Sequence, residues 1–323
     1  MTAILVNWNG WRDTILCLQS LFATADPRLN VIVCDNGSTD DSLANIRMWA
    51  EGLLSPWVSP AHPARNVVLS GARPQSFSVT RPHDTSDTFH VGDDLVLIPT
   101  GSNLGFGGGN NVGLAAVISR GTSDYVWLLN NDTTVSRESL YRLVAAVEVD
   151  QTRVLASSRV MYMEAPDRVW FEGGIFNSLT ATARHVSTEK FAASKSGFLS
   201  GCALLIGRDA WERIGFLDDA RFFMYGEDID YSFRARAAGI PLRVVRDSAV
   251  LHAVSASSKI ASPFAYRHNV SSVIRVSRKH FGAWRAVSII AYHFAKLSAL
   301  AVVRRPGLDA LRAYWQGIRQ GFA

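Results

Sequence analysis

The chain is poor in cysteine: Cys17, Cys34 and Cys202 are scattered and odd in number. That excludes a disulfide framework and argues against a cysteine-built zinc site; it fits reduced core thiols in a cytosolic protein. A basic segment ahead of an apolar stretch is missing at the start. Ile4-Leu5-Val6 already reads as a strand, so no signal peptide is expected. Long uninterrupted apolar runs are missing too. Trp284 to Val303 comes nearest, but Arg285, His293 and Lys296 interrupt it, which argues against a spanning helix. The common nucleotide fingerprints are also absent. Gly105-Phe106-Gly107 meets Asn110 where a dinucleotide fold wants glycine, and no Gly-Lys-Ser/Thr follows, which argues against an NAD enzyme and a P-loop ATPase. Acid is scarce in the tail: Lys259 to Ala323 holds eleven Lys/Arg and only Asp309. The tail therefore carries +10 and the rest −5, within a net charge of +5. Such asymmetry points to an anionic partner surface.

What is present is a globular composition, 48% hydrophobic and 19% charged over 323 residues, enough for one large domain with an appendage or for two domains. Ile4–Trp8, then a helical period from Trp11 to Thr24, then Val31–Cys34 give a strand–helix–strand opening and predict a parallel sheet. The second strand ends in Asp35-Asn36-Gly37-Ser38-Thr39-Asp40, a turn into a helix. Leu53 to Gly92 holds five of the eleven prolines and reads as a long surface insertion, with hairpins expected at Asn66–Leu69 and Ser76–Thr80. Asp93-Asp94 reads as a solvated turn. Leu95–Ile98 is a third strand. A glycine-rich loop at 101–111 follows, with a helix from Val112 to Ser119; such glycines let backbone N–H groups approach an anion.

Tyr125 to Leu129 is apolar without alternation, as a strand buried on both faces should be. It ends in Asn130-Asn131-Asp132. Ligands gather at the carboxyl ends of such strands, and a carboxylate flanked by amides can hold a hard cation against phosphate. The plainer reading is a turn. Farther on, Ser136 caps a helix to Val149, Val154–Ser158 reads as a strand, and Val169–Phe176 as a hairpin or sheet edge. Ser200–Ile206 is a strand and Arg208–Ile214 a short helix closed by Gly215. Phe222-Phe223-Met224-Tyr225-Gly226 leads into Glu227, Asp228 and Asp230 on a helix running to Ala238. The plainer reading of Asp230 and Arg234 is a surface i,i+4 ion pair, and of Glu227 and Asp228 acids that complement a helix dipole. Val244-Val245 and Val250-Leu251-His252 close the regular part, and a lone histidine there is more often structural than a ligand.

In this order the segments resemble the inverting GT-A glycosyltransferases of family two, especially the rhamnosyltransferase-like branch. Val-Asn-Trp-Asn-Gly, Cys-Asp-Asn-Gly-Ser-Thr-Asp, Asn-Leu-Gly-Phe-Gly-Gly-Gly-Asn-Asn, Leu-Asn-Asn-Asp, Ser-Gly-Cys-Ala, Phe-Phe-Met-Tyr-Gly-Glu-Asp-Ile-Asp and Leu-His carry the likeness over about residues 3–255. The resemblance implies an α/β GT-A fold: a mostly parallel sheet flanked by helices, a catalytic domain at 1–255 with an insertion at 53–92, and a basic helical region at 256–323. It implies a nucleotide-sugar donor (dTDP- or UDP-linked) held by Asn7, Asp35, Asn103, Gly105, Asn110 and Asn131. It implies Mg²⁺ or Mn²⁺ on Asp132 and His252, with Asn130 standing where the family's first metal-motif carboxylate would be. Asp228 would be the general base and Glu227 its neighbour. The sugar, by the same resemblance, would be a deoxyhexose such as rhamnose, and the acceptor a lipid-linked or surface glycan. A sugar-nucleotide pyrophosphorylase lacks support, because its Gly-rich Arg/Lys signature near the amino terminus is absent; a non-catalytic nucleotide-sugar-binding scaffold would tolerate the loss of Asp228, which is present.

The tail predicts an amphipathic helix. Arg278, Arg285, Tyr292 and Lys296 fall on one face of a helical wheel; Ile289, Ile290, Phe294, Leu297 and Ala301 lie away from it. Arg304, Arg305, Arg312 and Arg319 extend the positive charge, with Trp315 and Phe322 as anchors. An anionic membrane surface is the expected partner, which puts the protein on the inner face of the plasma membrane. The alternative is that the apolar face packs on the catalytic domain or makes a homodimer. No nucleic-acid partner is expected.

Overall fold

The computed structural model describes residues 1–80, 93–121, 123–150, 152–254, 262–303 and 308–323. The chain opens with β1 (Thr2–Asn7), α1 (Trp11–Phe22), β2 (Asn30–Asp35) and α2 (Ser42–Ala50). Next come α3 (Arg65–Ser70), β3 (Phe77–Val79), β4 (Leu95–Pro99), α4 (Gly105–Arg120) and β5 (Tyr125–Asn130). Then follow β6 (Thr133–Thr134), α5 (Arg137–Val147), β7 (Leu155–Tyr162), β8 (Ala165–Phe171), β9 (Gly174–Asn177), β10 (Thr182–His185), α6 (Thr188–Ala192), β11 (Gly197–Phe198) and β12 (Ala203–Gly207). After α7 (Arg208–Ile214), α8 (Glu227–Ala237) and β13 (Leu242–His252), three helices end the chain: α9 (Pro263–Phe281), α10 (Ala286–Val303) and α11 (Leu308–Phe322).

The main sheet runs β3-β4-β2-β1-β5-β12-β7-β13-β6, with β8 added on β7. From β3 to β5 every neighbour is parallel; β12 enters antiparallel between β5 and β7. The parallel half explains its own composition. Strand residues alternate faces, so Ala3, Leu5, Val31, Val33, Trp127 and Leu129 pack against Ile15, Leu18, Ile46 and Trp49 of α1 and α2. Ile4, Ile32, Cys34, Val126 and Leu128 face the other way, onto Leu114 and Val117 of α4. Both faces are covered, hence the continuous apolar runs. Asn7, Asp35 and Asn130 all end adjacent parallel strands, so the polar motifs emerge at one edge.

Several expectations need correction. The glycine-rich stretch is not a loop ahead of a helix at Val112; α4 starts at Gly105. Its glycines let the helix lie close on β1: a Cβ at Gly109 would come 2.8 Å from Val6 Cγ1, and one at Gly113 2.6 Å from Ile4 Cγ2. The two hairpins expected in the insertion are instead α3 and β3, and β3 pairs in parallel with β4. The part of the insertion at 81–92 lies outside the described residues. Asp93 is buried rather than solvated, and Asp94 Oδ2 accepts the Gln75 N–H at 2.7 Å. The Val169–Phe176 segment divides between two sheets, β8 at the edge of β7 and β9 between β10 and β11. Val244 and His252 belong to one irregular strand, β13.

In the tail, α11 packs along α9, and Gly317 and Gly321 bring it so close that a Cβ at either would meet Arg267 O or Ile274 Cβ at 2.7 Å. α10 turns Ile289, His293 and Leu297 inward, His293 Nδ1 lying 2.8 Å from the Tyr314 hydroxyl. Trp284, Val287, Ile290 and Phe294 are exposed. The helical wheel placed Ile289 with Ile290; the packing separates them, because the inward stripe steps through 289, 293 and 297. Two residues of the expected basic face are used internally. Arg278 donates to Gly321 O, and Arg285 donates to Phe281 O while lying over the Trp284 ring. Arg304, Arg305, Lys259 and the side chain of Ala301 lie outside the described residues. Among the described residues no helix is long and apolar enough to cross a membrane.

Candidate active site

The first cluster gathers where β1, β2 and β5 end. Asn7 Nδ2 donates to Asp35 Oδ1 at 2.7 Å and to Ser38 Oγ at 3.1 Å; Ser38 in turn donates to Asp35 Oδ1 at 2.6 Å. Thr14, on α1, donates to Asn7 Oδ1 at 2.8 Å and accepts from Asn131 Nδ2 at 2.9 Å. Asn7, Asp35 and Asn131 are thereby one network, with Thr14 and Ser38 as links that sequence reading missed. Their hydroxyls sit in ordinary helix and turn contexts and give no signal of their own.

Asn103 joins this cluster through Asn36. Asn36 Nδ2 donates to Asn103 Oδ1 (3.1 Å) and to Gly105 O (3.0 Å), while Asn36 Oδ1 accepts the Leu104 N–H. Gly105 itself has φ +76°, and a Cβ there would lie 2.0 Å from Phe223 O. Glycine is required at that contact, and it places the start of α4 against the segment leading to Glu227. Asn110 is different. It is buried and donates to Phe106 O in its own helix, so no hydrogen bond brings it to the other candidates.

The second cluster forms where the turn after β5 leads into β6, which pairs with the end of β13. Asp132 is 4% exposed, and its Oδ1 stands 3.1 Å from His252 Nε2. Asn130 Nδ2 lies 3.3 Å from the same nitrogen. Among the described residues, Asp132 Oδ2 and His252 Nδ1 are buried without hydrogen-bond partners. Burial opposes a charge on His252, but the adjoining Asp132 carboxylate raises its pKa above the ordinary value. Burial also pushes the Cys202 thiol up and keeps it neutral, so the Asp132 carboxylate is the effective partner. On α1, Asp13 is raised by burial and then by the charge of Asp132, which identifies a nearby carboxylate not singled out from the sequence.

Among the described residues no three His, Cys, Asp or Glu side chains form a group able to hold a metal ion. A divalent cation needs only one or two protein groups where phosphate oxygens complete its shell. The orphaned carboxylate oxygen of Asp132 is the donor such a site needs.

The turn before β12 joins the β5 strand end to the start of α8. The Gly201 N–H donates to Asp228 Oδ2 at 3.1 Å, and Cys202 O accepts the Asn130 N–H at 2.9 Å. A Cβ at Gly201 would meet the Phe106 ring at 2.9 Å, so this turn, α4 and α8 converge. Asp228 also accepts its neighbour's N–H, from Ile229, at 2.8 Å. Burial raises the Asp228 carboxyl against these donors. Glu227 is raised well above the usual range by burial first and by Asp228 second, and its Oε2 has no partner among the described residues. The N–H donors favour the anion on Asp228, so of this pair Glu227 keeps the proton. Asp230, by contrast, is fully buried behind the helix; the surface ion pair expected from its spacing to Arg234 is a buried one.

The sequence model described as Glycosyltransferase like family 2 matches residues 2–269. The low-salt glycan biosynthesis hexosyltransferase Agl10 of Haloferax volcanii is 27% identical over 153 residues, 46% of this chain and 48% of that protein. The N-acetylglucosaminyl-diphospho-decaprenol L-rhamnosyltransferase of Mycobacterium tuberculosis is 40% identical over 92 residues, 28% of this chain and 29% of that protein. The chain thus spans half or less of the length of these curated relatives. Among solved structures, mannosyltransferase PcManGT of Pyrobaculum calidifontis, in complex with GDP-Man and Mn²⁺, aligns at TM-score 0.54 and 14% identity over 99% of this chain and 86% of that one. GalNAc-T7 with UDP, GalNAc and Mn²⁺ aligns at TM-score 0.59 and 13% identity, over 96% and 54%. These likenesses establish a GT-A fold, and the match across most of the chain establishes that it belongs to glycosyltransferase family 2.

Proposed function

We propose that this chain is an inverting glycosyltransferase, with residues 1–255 as its catalytic domain. It moves a hexose from a nucleoside diphosphate to a hydroxyl of a lipid-linked or cell-surface glycan. The observation that carries the reading is the Gly201–Cys202 turn, which ties Asp228 to the Asn130–Asp132 strand end. A base and an electrophile-binding carboxylate at two ends of one short turn suit direct displacement. Asn7, Asp35, Asn131 and Asn103 would line the nucleoside and ribose side. Asp132 and His252 would hold a divalent cation, which neutralises charge on the leaving diphosphate. Asp228 takes the proton of the acceptor hydroxyl as that oxygen bonds the anomeric carbon, and the bond to the diphosphate breaks with its electron pair on the phosphate oxygen. Glu227, protonated, can donate a hydrogen bond beside it. No covalent nucleophile is required, and one displacement inverts the anomeric centre.

The rhamnosyltransferase among the relatives makes L-rhamnose the first sugar to test, and the family resemblance makes dTDP the first nucleotide. The same relative's name supports a lipid-linked acceptor, and with it a membrane partner. The exposed apolar residues Val287, Ile290 and Phe294 of α10, with Trp284 in the turn just before it, support docking at anionic lipid, on the inner face of the plasma membrane. A donor screen that follows nucleoside diphosphate release in the presence of acceptor tests the function. Turnover of dTDP-rhamnose is expected; turnover of UDP-hexoses alone would overturn the sugar, and no turnover with any nucleotide-sugar and glycan pair would overturn the activity.

A further inference from the structure

Asp228 and Asp230 stand two residues apart on α8, about 200° around the helix. Asp228 faces the turn before β12, whose Gly201 N–H meets it. Asp230 therefore faces away, into the contact with α9. Its side chain is fully buried, and three donors converge on it. Lys279 Nζ and His280 Nε2 each lie 2.7 Å from Oδ1, and Arg234 Nε lies 2.9 Å from Oδ2. Lys279 also reaches Asp218 Oδ2 at 2.7 Å. These contacts belong to a longer seam. Ser272 donates to Met224 O at 3.0 Å and Arg275 to Arg221 O at 2.8 Å. Residues 272, 275 and 279 follow the i, i+3, i+7 spacing of one helix face, so a single stripe of α9 grips the whole segment from Asp218 to Asp230.

That segment needs gripping. Tyr225 (φ +66°) and Gly226 (φ +83°) are consecutive left-handed residues at the entry to α8. A left-handed tyrosine is strained and persists only where the surroundings over-determine it. Here α9 lies flush on the turn, and a Cβ at Gly226 would come 3.1 Å from Ser272 Cβ.

We propose that Asp230, Lys279 and His280 are positioning residues for the base: they fix the rotation and depth of α8 from behind and so aim Asp228 at the acceptor hydroxyl. This rests on the reading of Asp228 as the base. It gives α9 a catalytic task that family motifs ending at His252 leave out. The three donors also hold the Asp230 carboxyl down to about 2 against its burial, which keeps that carboxylate ionised across the working range. α11 braces the clamp in turn, because Arg275 donates to Gln320 O and Arg278 to Gly321 O.

The test uses the full chain with His280→Ala, His280→Gln, Lys279→Ala, Asp228→Asn and the double variant Asp228→Asn with His280→Ala. The readouts are kcat, donor KM and nucleoside diphosphate affinity. Displacing a reacting group by about 1 Å costs about 10²-fold. His280→Ala is expected to lower kcat by up to about that factor, with donor KM and diphosphate affinity unchanged, and His280→Gln, which keeps an N–H donor, to recover most of it. Because His280 acts through Asp228, adding His280→Ala to Asp228→Asn should remove little more. Lys279→Ala, at a partly exposed position, repeats the kcat loss if His280→Ala folds poorly. The proposal is overturned if both alanine variants keep kcat within about twofold of wild type, or if the double variant loses the product of the two single effects. If Asp228→Asn keeps wild-type kcat, it is the base assignment that fails and the clamp's role falls with it; if Asp228→Asn is inactive while the clamp variants are not, only the clamp fails.

Discussion

Gly105→Ala and Gly101→Ala isolate the contact that joins the glycine-rich helix to the catalytic segment. Both glycines are left-handed, at φ +76° and +81°. A left-handed alanine costs about 1–2 kcal/mol in either place. At Gly101 nothing lies within 4 Å of the new Cβ, so the cost ends there. At Gly105 the Cβ would lie 2.0 Å from Phe223 O, a backbone atom that cannot swing aside. Overpacking of this kind costs about 1–3 kcal/mol. The Phe106 N–H bond to the same carbonyl, 3.0 Å long, would be lost as well, at about 0.5–1.5 kcal/mol. The expected destabilisation is therefore roughly 3–6 kcal/mol for Gly105→Ala against about 1–2 kcal/mol for Gly101→Ala. No helix-propensity gain offsets it, because a left-handed residue gains nothing from alanine's preference for right-handed helix. Urea unfolding followed by tryptophan fluorescence and by circular dichroism measures both, with coincident transitions as the check on two-state behaviour. Equal destabilisation of the two variants would show that the start of α4 does not press on Phe223.

Excess EDTA should abolish turnover and Mg²⁺ or Mn²⁺ restore it, with His252→Ala only partly inactive because diphosphate oxygens can replace one ligand; full activity in EDTA would remove the cation from the account. Ile290→Glu with Phe294→Glu should cut co-sedimentation with anionic vesicles while leaving the fold intact, and wild-type binding should fall with salt; a wild-type chain that stays in the supernatant at low salt would make the α10 face a protein contact instead. Acid stability should report Asp230. Its folded pKa, near 2, lies below the unfolded value, so its stabilisation is present above about pH 4 and is lost as pH falls through 2, an effect of about 2 kcal/mol. The stability gap between wild type and Asp230→Asn should shrink by that amount between pH 5 and pH 2, and a constant gap would contradict the buried clamp.

The strand ends were legible because a strand buried on both faces writes an apolar run that stops abruptly in polar residues. The ordered motifs at those ends led to the family, and the resemblance then named Asn7, Asp35 and Asn131. The start of α4 was not legible. Glycines such as Gly109 and Gly113 each cost about 1 kcal/mol in a helix interior, and only their close approach to Val6 and Ile4 makes them worthwhile there. Asp230 and Arg234 show the same limit. Their spacing fixes the pair, but the burial comes from α9, whose Lys279 and His280 are some fifty residues away. Likewise a helical wheel ranks the faces of α10 by polarity, whereas His293 is drawn inward by Tyr314. Asn36 and the Gly201 N–H join the site through contacts that no local pattern records.

The central claim is tested most directly at Asp228. Asp228→Asn keeps the shape and the Gly201 contact geometry but cannot take a proton. The account predicts nucleoside diphosphate affinity like wild type and kcat lower by about 10² to 10⁴, measured by diphosphate release with acceptor present. A kcat near that of wild type would contradict it.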